Sequence, residues 1–179
     1  MSGALQRGVR LGVDVGKARV GLAASDPDGI LATPVKTLRR DLKKGFDRRL
    51  IVREALERAA VVVYVGYPVN MQGRSTESTE DAHRYAQDLA AELLAAGSPA
   101  RVQLVDERLS TVTAHRQLHE AGLGSRTHRE VVDQVAAVQI LEQALNMQQS
   151  LQRDAGRPVL VPAPEGPEGE DGTRGRSDS

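Results

Sequence analysis

The stretch 9-VRLGVDVGKARVGLAAS-25 decides the architecture. Residues 9-VRLGVDV-15 alternate around a central aspartate and read as a β-strand. Gly16-Lys17-Ala18 reads as a turn, and 20-VGLAAS-25 is a second short apolar run. Asp26-Pro27-Asp28-Gly29 is a strong turn signal, because proline pre-sets φ, aspartate bonds its own backbone and glycine accepts a left-handed conformation. The run 30-ILATPVKTL-38 then supplies a third strand, so the chain opens as a meander.

Outward from this opening the periodicity changes. Phe46, Leu50, Ile51, Ala55, Leu56 and Ala59 recur at helical spacing over 46 to 60, and 61-VVVYV-65 is the continuous apolar run of a strand covered on both faces. It ends in Gly66-Tyr67-Pro68 and a polar loop through Ser75. A second helix, about 76 to 96, is stopped by Gly97-Ser98-Pro99, and 101-RVQLV-105 is the fifth strand. Leu109, Val112 and Leu118 belong to a shorter helix ended by Gly122 and Gly124, and a final helix is expected from about His128 to Met147. The natural packing of this series is an α/β domain: a five-stranded mixed sheet with helices on both faces. Periodicity stops near Gln148. The Gly, Pro and charge in 156-GRPVLVPAPEGPEGEDGTRGRSDS-179 read as a disordered tail, so the expected division is a domain over 1–150 and a tail over 151–179.

The 179 residues contain no cysteine, which excludes disulfides, a thiolate nucleophile and a Cys-ligated metal. Any metal must therefore be held by oxygen or imidazole. No apolar run reaches signal-peptide or membrane-spanning length, so the expected location is the cytoplasm, with no membrane partner. Net charge is zero, but residues 151–179 hold four Arg against six Asp or Glu, leaving twenty basic against eighteen acidic residues in 1–150. A nucleic-acid surface must then come from local patches.

Asp14 is the first chemical anomaly. A carboxylate within an apolar strand is costly unless it is paired, bound to metal or exposed at a sheet end. Gly12 and Gly16 share its face and strip that face of bulk. The alternative is a hairpin turn with Asp14 bonded to local amides. The second cluster is 106-DERLST-111, just beyond the fifth strand, where ligands of open sheets collect. Asp106 and Glu107 point in different directions; Arg108 can grip a phosphate or neutralise Asp106, and Ser110 or Thr111 can cap the next helix. Asp133, in 131-VVDQVAAVQIL-141, is either a carboxylate favoured by the helix dipole or one that faces inward where small residues let the helix press on the sheet. Glu130 could share that role or face solvent.

Three converging carboxylates need a compensating cation. Without cysteine or a convincing histidine cluster, the matching ion is Mg²⁺ or Mn²⁺, suited to phosphodiester hydrolysis. His115 and His119 share a helix face but lack the acid of a zinc-protease helix; His128 could assist near Asp133. Lys17, Arg19, Arg74 and Arg108 come from loops flanking the expected site and could bind a phosphate backbone without reading bases. Arg39, Arg40, Lys43, Lys44, Arg48 and Arg49 form a further basic run, most simply a solvated face. The scarcity of aromatics argues against base stacking and for structured substrate.

The DVG of Asp14 to Gly16, the loop 66-GYPVNMQG-73, the block 106-DERLST-111 and the helix 133-DQVAAVQIL-141, in that order and spacing, resemble the bacterial YqgF-type family, known as Holliday junction resolvase-like proteins or pre-16S rRNA nucleases. The resemblance covers residues 9 to 146. It implies a ribonuclease H-like fold, three antiparallel strands followed by two parallel ones, and a cytoplasmic enzyme in 5′ processing of precursor 16S rRNA. It also implies Asp14, Glu107 and Asp133 as catalytic and metal-holding carboxylates. The 66–73 loop, including Asn70, would line the substrate groove, and Arg126, His128 and Arg129 would stand in the basic stretch before the last aspartate. Tyr67 replaces a more usual leucine, and Glu130 intrudes in the basic stretch, which puts backbone affinity in doubt. The expected partners are structured RNA in preference to DNA and a ribosomal precursor particle, bound by a monomer or homodimer. Competing readings are a DNA junction resolvase, which favours a symmetric dimer, and a non-catalytic RNA-binding assembly factor. A sugar-kinase-like ATP-binding protein would need a second lobe for which this length has no room.

Overall fold

The computed structural model describes residues 5–70, 72–107 and 126–161, with side chains of the last segment described from 131 onward. The strands are β1 (Arg10–Val15), β2 (Arg19–Ser25), β3 (Ala32–Arg39), β4 (Val62–Tyr67), β5 (Arg101–Asp106) and β6 (Arg157–Pro158). The helices are α1 (Phe46–Glu57), α2 (Glu77–Ala95) and α3 (Arg126–Leu151). One sheet runs β3-β2-β1-β4-β5-β6. The meander is antiparallel, β1 pairs in parallel with β4, and β4 pairs in parallel with β5. The α/β fold and the mixed sheet are those expected.

Alternation along β1 assigns the two faces. Leu11, Val13 and Val15 join Leu22, Val63 and Val65 beneath Ile51, Ala55, Ala86, Leu89 and Leu93 of α1 and α2. On the other face Ala23, Val62, Tyr64 and Val105 meet Ala137, Leu141, Ala144 and Leu145 of α3. Residues 61–65 form an unbroken apolar run because both faces of β4 are covered. Helix α2 starts at a reciprocal cap: the Thr76 hydroxyl accepts from the Thr79 amide while the Thr76 amide donates to the Thr79 hydroxyl.

Two expectations are corrected. The sheet has a sixth strand, because Arg157–Pro158 pairs antiparallel with Gln103 and Leu104 of β5. The expected boundary at 150 also falls inside α3, and residues 151–161 stay with the fold. Ala155 is fully buried, its amide donates to the Tyr64 hydroxyl (3.2 Å), and that hydroxyl donates to Gln148 Oε1 (2.8 Å). Asp154 receives Arg101 Nε at 2.6 Å. A two-residue strand has no periodicity to read, and these anchors are tertiary. The expected helix around 109–118 and residues 162–179 lie outside the described residues.

Candidate active site

Glycine shapes the α3 face of the sheet around Asp14. Asp14 is 1% exposed and lies directly opposite Gly21 on β2 and Gly66 on β4. Directly opposed residues share a face about 5 Å apart, so neither neighbouring strand places a side chain of its own beside the carboxylate. A Cβ at Gly12 would come within 2.7 Å of Leu141 Cβ and 2.8 Å of the Ala137 carbonyl oxygen, and one at Gly21 would overlap the Asp133 carbonyl oxygen. Helix α3 therefore rests on the sheet backbone itself, and Asp133 is seated over the strand next to Asp14.

Glu107 arrives from the other flank. It follows β5 directly, is 6% exposed, and its Oε1 lies 2.6 Å from where a Gly66 Cβ would be. Gln143 of α3 donates to the Asp106 carbonyl oxygen (3.4 Å), tying the end of β5 to the same helix. Asp14, Glu107 and Asp133 are thus brought to one glycine-floored corner by β1, the end of β5 and α3. Asp133 Oδ2 receives Arg19 Nε at 2.7 Å, both side chains being partly exposed. Among the described residues no three His, Asp or Glu side chains are assembled at metal-holding distance. The donor set is nonetheless the hard-oxygen type that Mg²⁺ or Mn²⁺ takes, while the space over the glycines is taken by α3 itself, through Leu141, Ile140 and the Asp133 carbonyl.

The expected substrate-binding residues divide. Lys17 is exposed on the β1–β2 turn, and Arg74 is exposed beyond β4. Arg19, expected to bind phosphate, is engaged with Asp133. Asn70 Oδ1 accepts from the amides of Gln72 (3.1 Å) and Arg74 (2.8 Å), so its carbonyl folds the 70–74 loop. Arg108, with His115 and His119, lies outside the described residues, as do the side chains of Arg126, His128, Arg129 and Glu130 on the first turn of α3. Tyr67 packs edge-on against His83 at 5.0 Å, and burial pushes the His83 imidazole below its ordinary pKa.

The expectation of a solvated basic face over 39–49 needs correcting for two members. Arg40 grips Asp81 with both guanidinium nitrogens (2.7 Å each) and donates through Nη1 to the Gly16 carbonyl oxygen (2.9 Å), while its amide donates to that of Ala18 (2.9 Å). This clamp holds the turn that follows Asp14 against α2. The same hydrogen bonds from Arg40 hold the Asp81 carboxyl below its ordinary range. Arg48 pairs with Glu92 at 2.9 Å. Sequence reasoning missed this clamp, Gln143 and the role of Gly21; only the glycine, inside an otherwise apolar strand, carried a readable signal of close backbone approach.

A model of the RuvX family, described as Holliday junction resolvase, matches residues 8–147. The chain is 49% identical over 157 residues to a protein of Clavibacter sepedonicus named "Putative pre-16S rRNA nuclease", covering 87% of this chain and 92% of that one. A protein of the same name from Mycobacteroides abscessus is 48% identical over 136 residues, covering 76% and 80%. Among solved structures, Thermus thermophilus RuvC in complex with a Holliday junction substrate matches with a TM-score of 0.51 at 12% identity, over 84% of this chain and 99% of that one. That likeness concerns the fold, which is the ribonuclease H-like one expected. The meander, the glycine-floored carboxylates and the match over residues 8–147 lead to one conclusion: the chain belongs to the RuvX family.

Proposed function

We propose that this protein is a divalent-metal-dependent endonuclease that acts in the cytoplasm on structured RNA, in 5′ processing of precursor 16S rRNA. The observation that carries this reading is the seating of Asp14, Glu107 and Asp133 around Gly12, Gly21 and Gly66. The family membership and the names of the relatives support the nuclease class and the RNA substrate.

Asp14, Glu107 and Asp133 would hold Mg²⁺ or Mn²⁺. When bound, such an ion polarises a phosphodiester and activates water near neutral pH. The protein's own part is positional. The glycine floor lets α3 and the Glu107 carboxylate come down onto the strands beside Asp14. Arg19, fixed on Asp133, puts a guanidinium at the rim, where it offsets the repulsion among the acids and can face a phosphate oxygen. Lys17 and Arg74 extend that positive rim and, with Arg108, Arg126, His128 and Arg129 assigned the same role, would orient the backbone without selecting bases.

The test compares wild-type protein with Asp14→Asn on a precursor 16S rRNA fragment and a four-way DNA junction, in Mg²⁺, Mn²⁺ or EDTA. Metal-dependent cleavage of the RNA that falls by about a hundredfold or more in the variant is the expected result. Symmetric cutting of the junction alone transfers the function to DNA resolution, in line with the family's description. Equal cutting by both proteins removes Asp14 from the chemistry.

A further inference from the structure

The basic run over 39–49 contains the chain's single phenylalanine, and the fold sorts this segment by charge. Asp41 is turned onto backbone: its Oδ1 accepts from the amides of Lys43 and Lys44 (3.1 Å each) and its Oδ2 from that of Phe46 (3.2 Å). Asp47 is 1% exposed and accepts from the Tyr85 hydroxyl (2.9 Å). Arg40 and Arg48 are paired with Asp81 and Glu92. The remaining bases Arg39, Lys43, Lys44 and Arg49 are exposed and form no ion pair among the described residues.

Within this outward-facing charge, Leu42 and Phe46 are 78% and 59% exposed. Gly45 makes the display possible. At φ +65° it turns the chain into α1 straight after the lysines, so that Lys43, Lys44 and Phe46 fan out from one carboxylate. The surface is also continuous with the candidate active site. Arg39 pairs with Arg19 across β2–β3, and the Arg40 amide is bonded to Ala18, beside Lys17 on the turn after Asp14.

An exposed aromatic ring among unpaired cations has the chemistry of single-stranded nucleic-acid binding: the ring stacks on a base and the lysines meet phosphates. We propose that Leu42–Phe46, with Arg39 and Arg49, is a second nucleic-acid contact that binds unpaired nucleotides flanking the scissile region, Phe46 stacking on a base. The ligand class rests on the nuclease reading; the surface itself does not. It revises the expectation that scarce aromatics argue against stacking, since one ring suffices when it stands among cations.

The experiment measures fluorescence anisotropy with the full chain carrying Asp14→Asn, so that cleavage does not intrude. The probes are a blunt RNA duplex and the same duplex with a single-stranded extension. Adding Phe46→Ala is expected to weaken binding of the extended probe about tenfold and leave the blunt one unchanged, with Phe46→Trp restoring affinity. Replacing Lys43 and Lys44 by Gln is expected to lower the salt dependence of log K by roughly 0.7 per lysine on the extended probe. Equal affinities for the extended probe with and without Phe46→Ala overturn the proposal, as does equal weakening on both probes. A Phe46 effect confined to binding of ribosomal proteins also overturns it, by assigning the patch to a protein partner. The two readings fail separately. A Phe46-dependent preference for the extended probe without any Asp14-dependent cleavage keeps this surface and removes the nuclease; Asp14-dependent cleavage with a silent Phe46 does the reverse.

Discussion

Leu22 and Gly21 are neighbours on β2, yet they belong to two different kinds of protein surface. Leu22 is fully buried in the layer beneath α1 and α2, where every inward position of β1 is Leu or Val. Gly21 faces α3, where Asp14 is flanked by Gly21 and Gly66 and the helix backbone rests directly on the strands. One face is filled with side chains and supplies burial free energy. The other buries its own apolar layer against α3 but gives up side chains at Gly12, Gly21 and Gly66, so that α3 and Glu107 close onto the strands beside Asp14. Side-chain volume given up at these three positions is what brings segments distant in sequence against the first strand.

This contrast can be broken most forcefully at Leu22. Leu22→Ala is expected to cost about 2–5 kcal/mol of stability in urea denaturation, with cleavage per folded molecule unchanged. Lost activity at full folding would mean that the two faces are not separable. At Gly21 the effect should fall on function. Gly21→Ala must lift α3 at Asp133, costing about 1–3 kcal/mol by overpacking and, in cleavage assays of folded protein, about a hundredfold in rate. Retained cleavage would show that the glycine floor is not needed for the chemistry. Arg19→Gln, at the rim, is expected to cost about 1 kcal/mol or less, because the pair is partly exposed. Freed from the guanidinium, Asp133 should bind Mn²⁺ more tightly by calorimetry, and unchanged affinity would mean that Arg19 does not compete with the ion.

The smallest expected effect concerns the clamp between the two regions. Hydrogen bonding to Arg40 lowers the folded-state pKa of Asp81 from its ordinary 3.8. The resulting stability is present above that value and is lost as pH falls through the lower folded-state value. Asp81→Asn should therefore flatten the acid limb of stability below about pH 4 and change little at pH 7 beyond the weakened pair. An acid limb identical to wild type would show that Arg40 is held by its backbone contacts alone.

Much of this was legible along the chain. The meander, the doubly covered β4, the long last helix and the anomaly of an aspartate in an apolar strand are local patterns of period 2 or 3.6, or local violations of them, and the structure places these elements within a few residues of expectation. Glu107 and Asp133 were reachable as charges at a strand end and a helix start. Arg40 was misread with its basic neighbours because nothing within a turn of it in sequence reveals Asp81, forty-one residues on. The strand Arg157–Pro158 was lost in a Gly- and Pro-rich segment because it is held by β5 and by the buried Ala155, not by its own composition.

The sequence by itself determined the α/β class, the exclusion of thiolate chemistry and which acidic residues were anomalous, because periodicity and desolvation cost act at the level of single segments. Only the tertiary structure decided that Gly21 and Gly66 flank Asp14, that Asp133 is shared with Arg19, and that Asp41 folds onto backbone and Asp47 is buried while Lys43, Lys44 and Phe46 turn out. Strand register, helix seating and the choice of ion-pair partner depend on which distant segments meet, and that is settled by packing the whole chain at once.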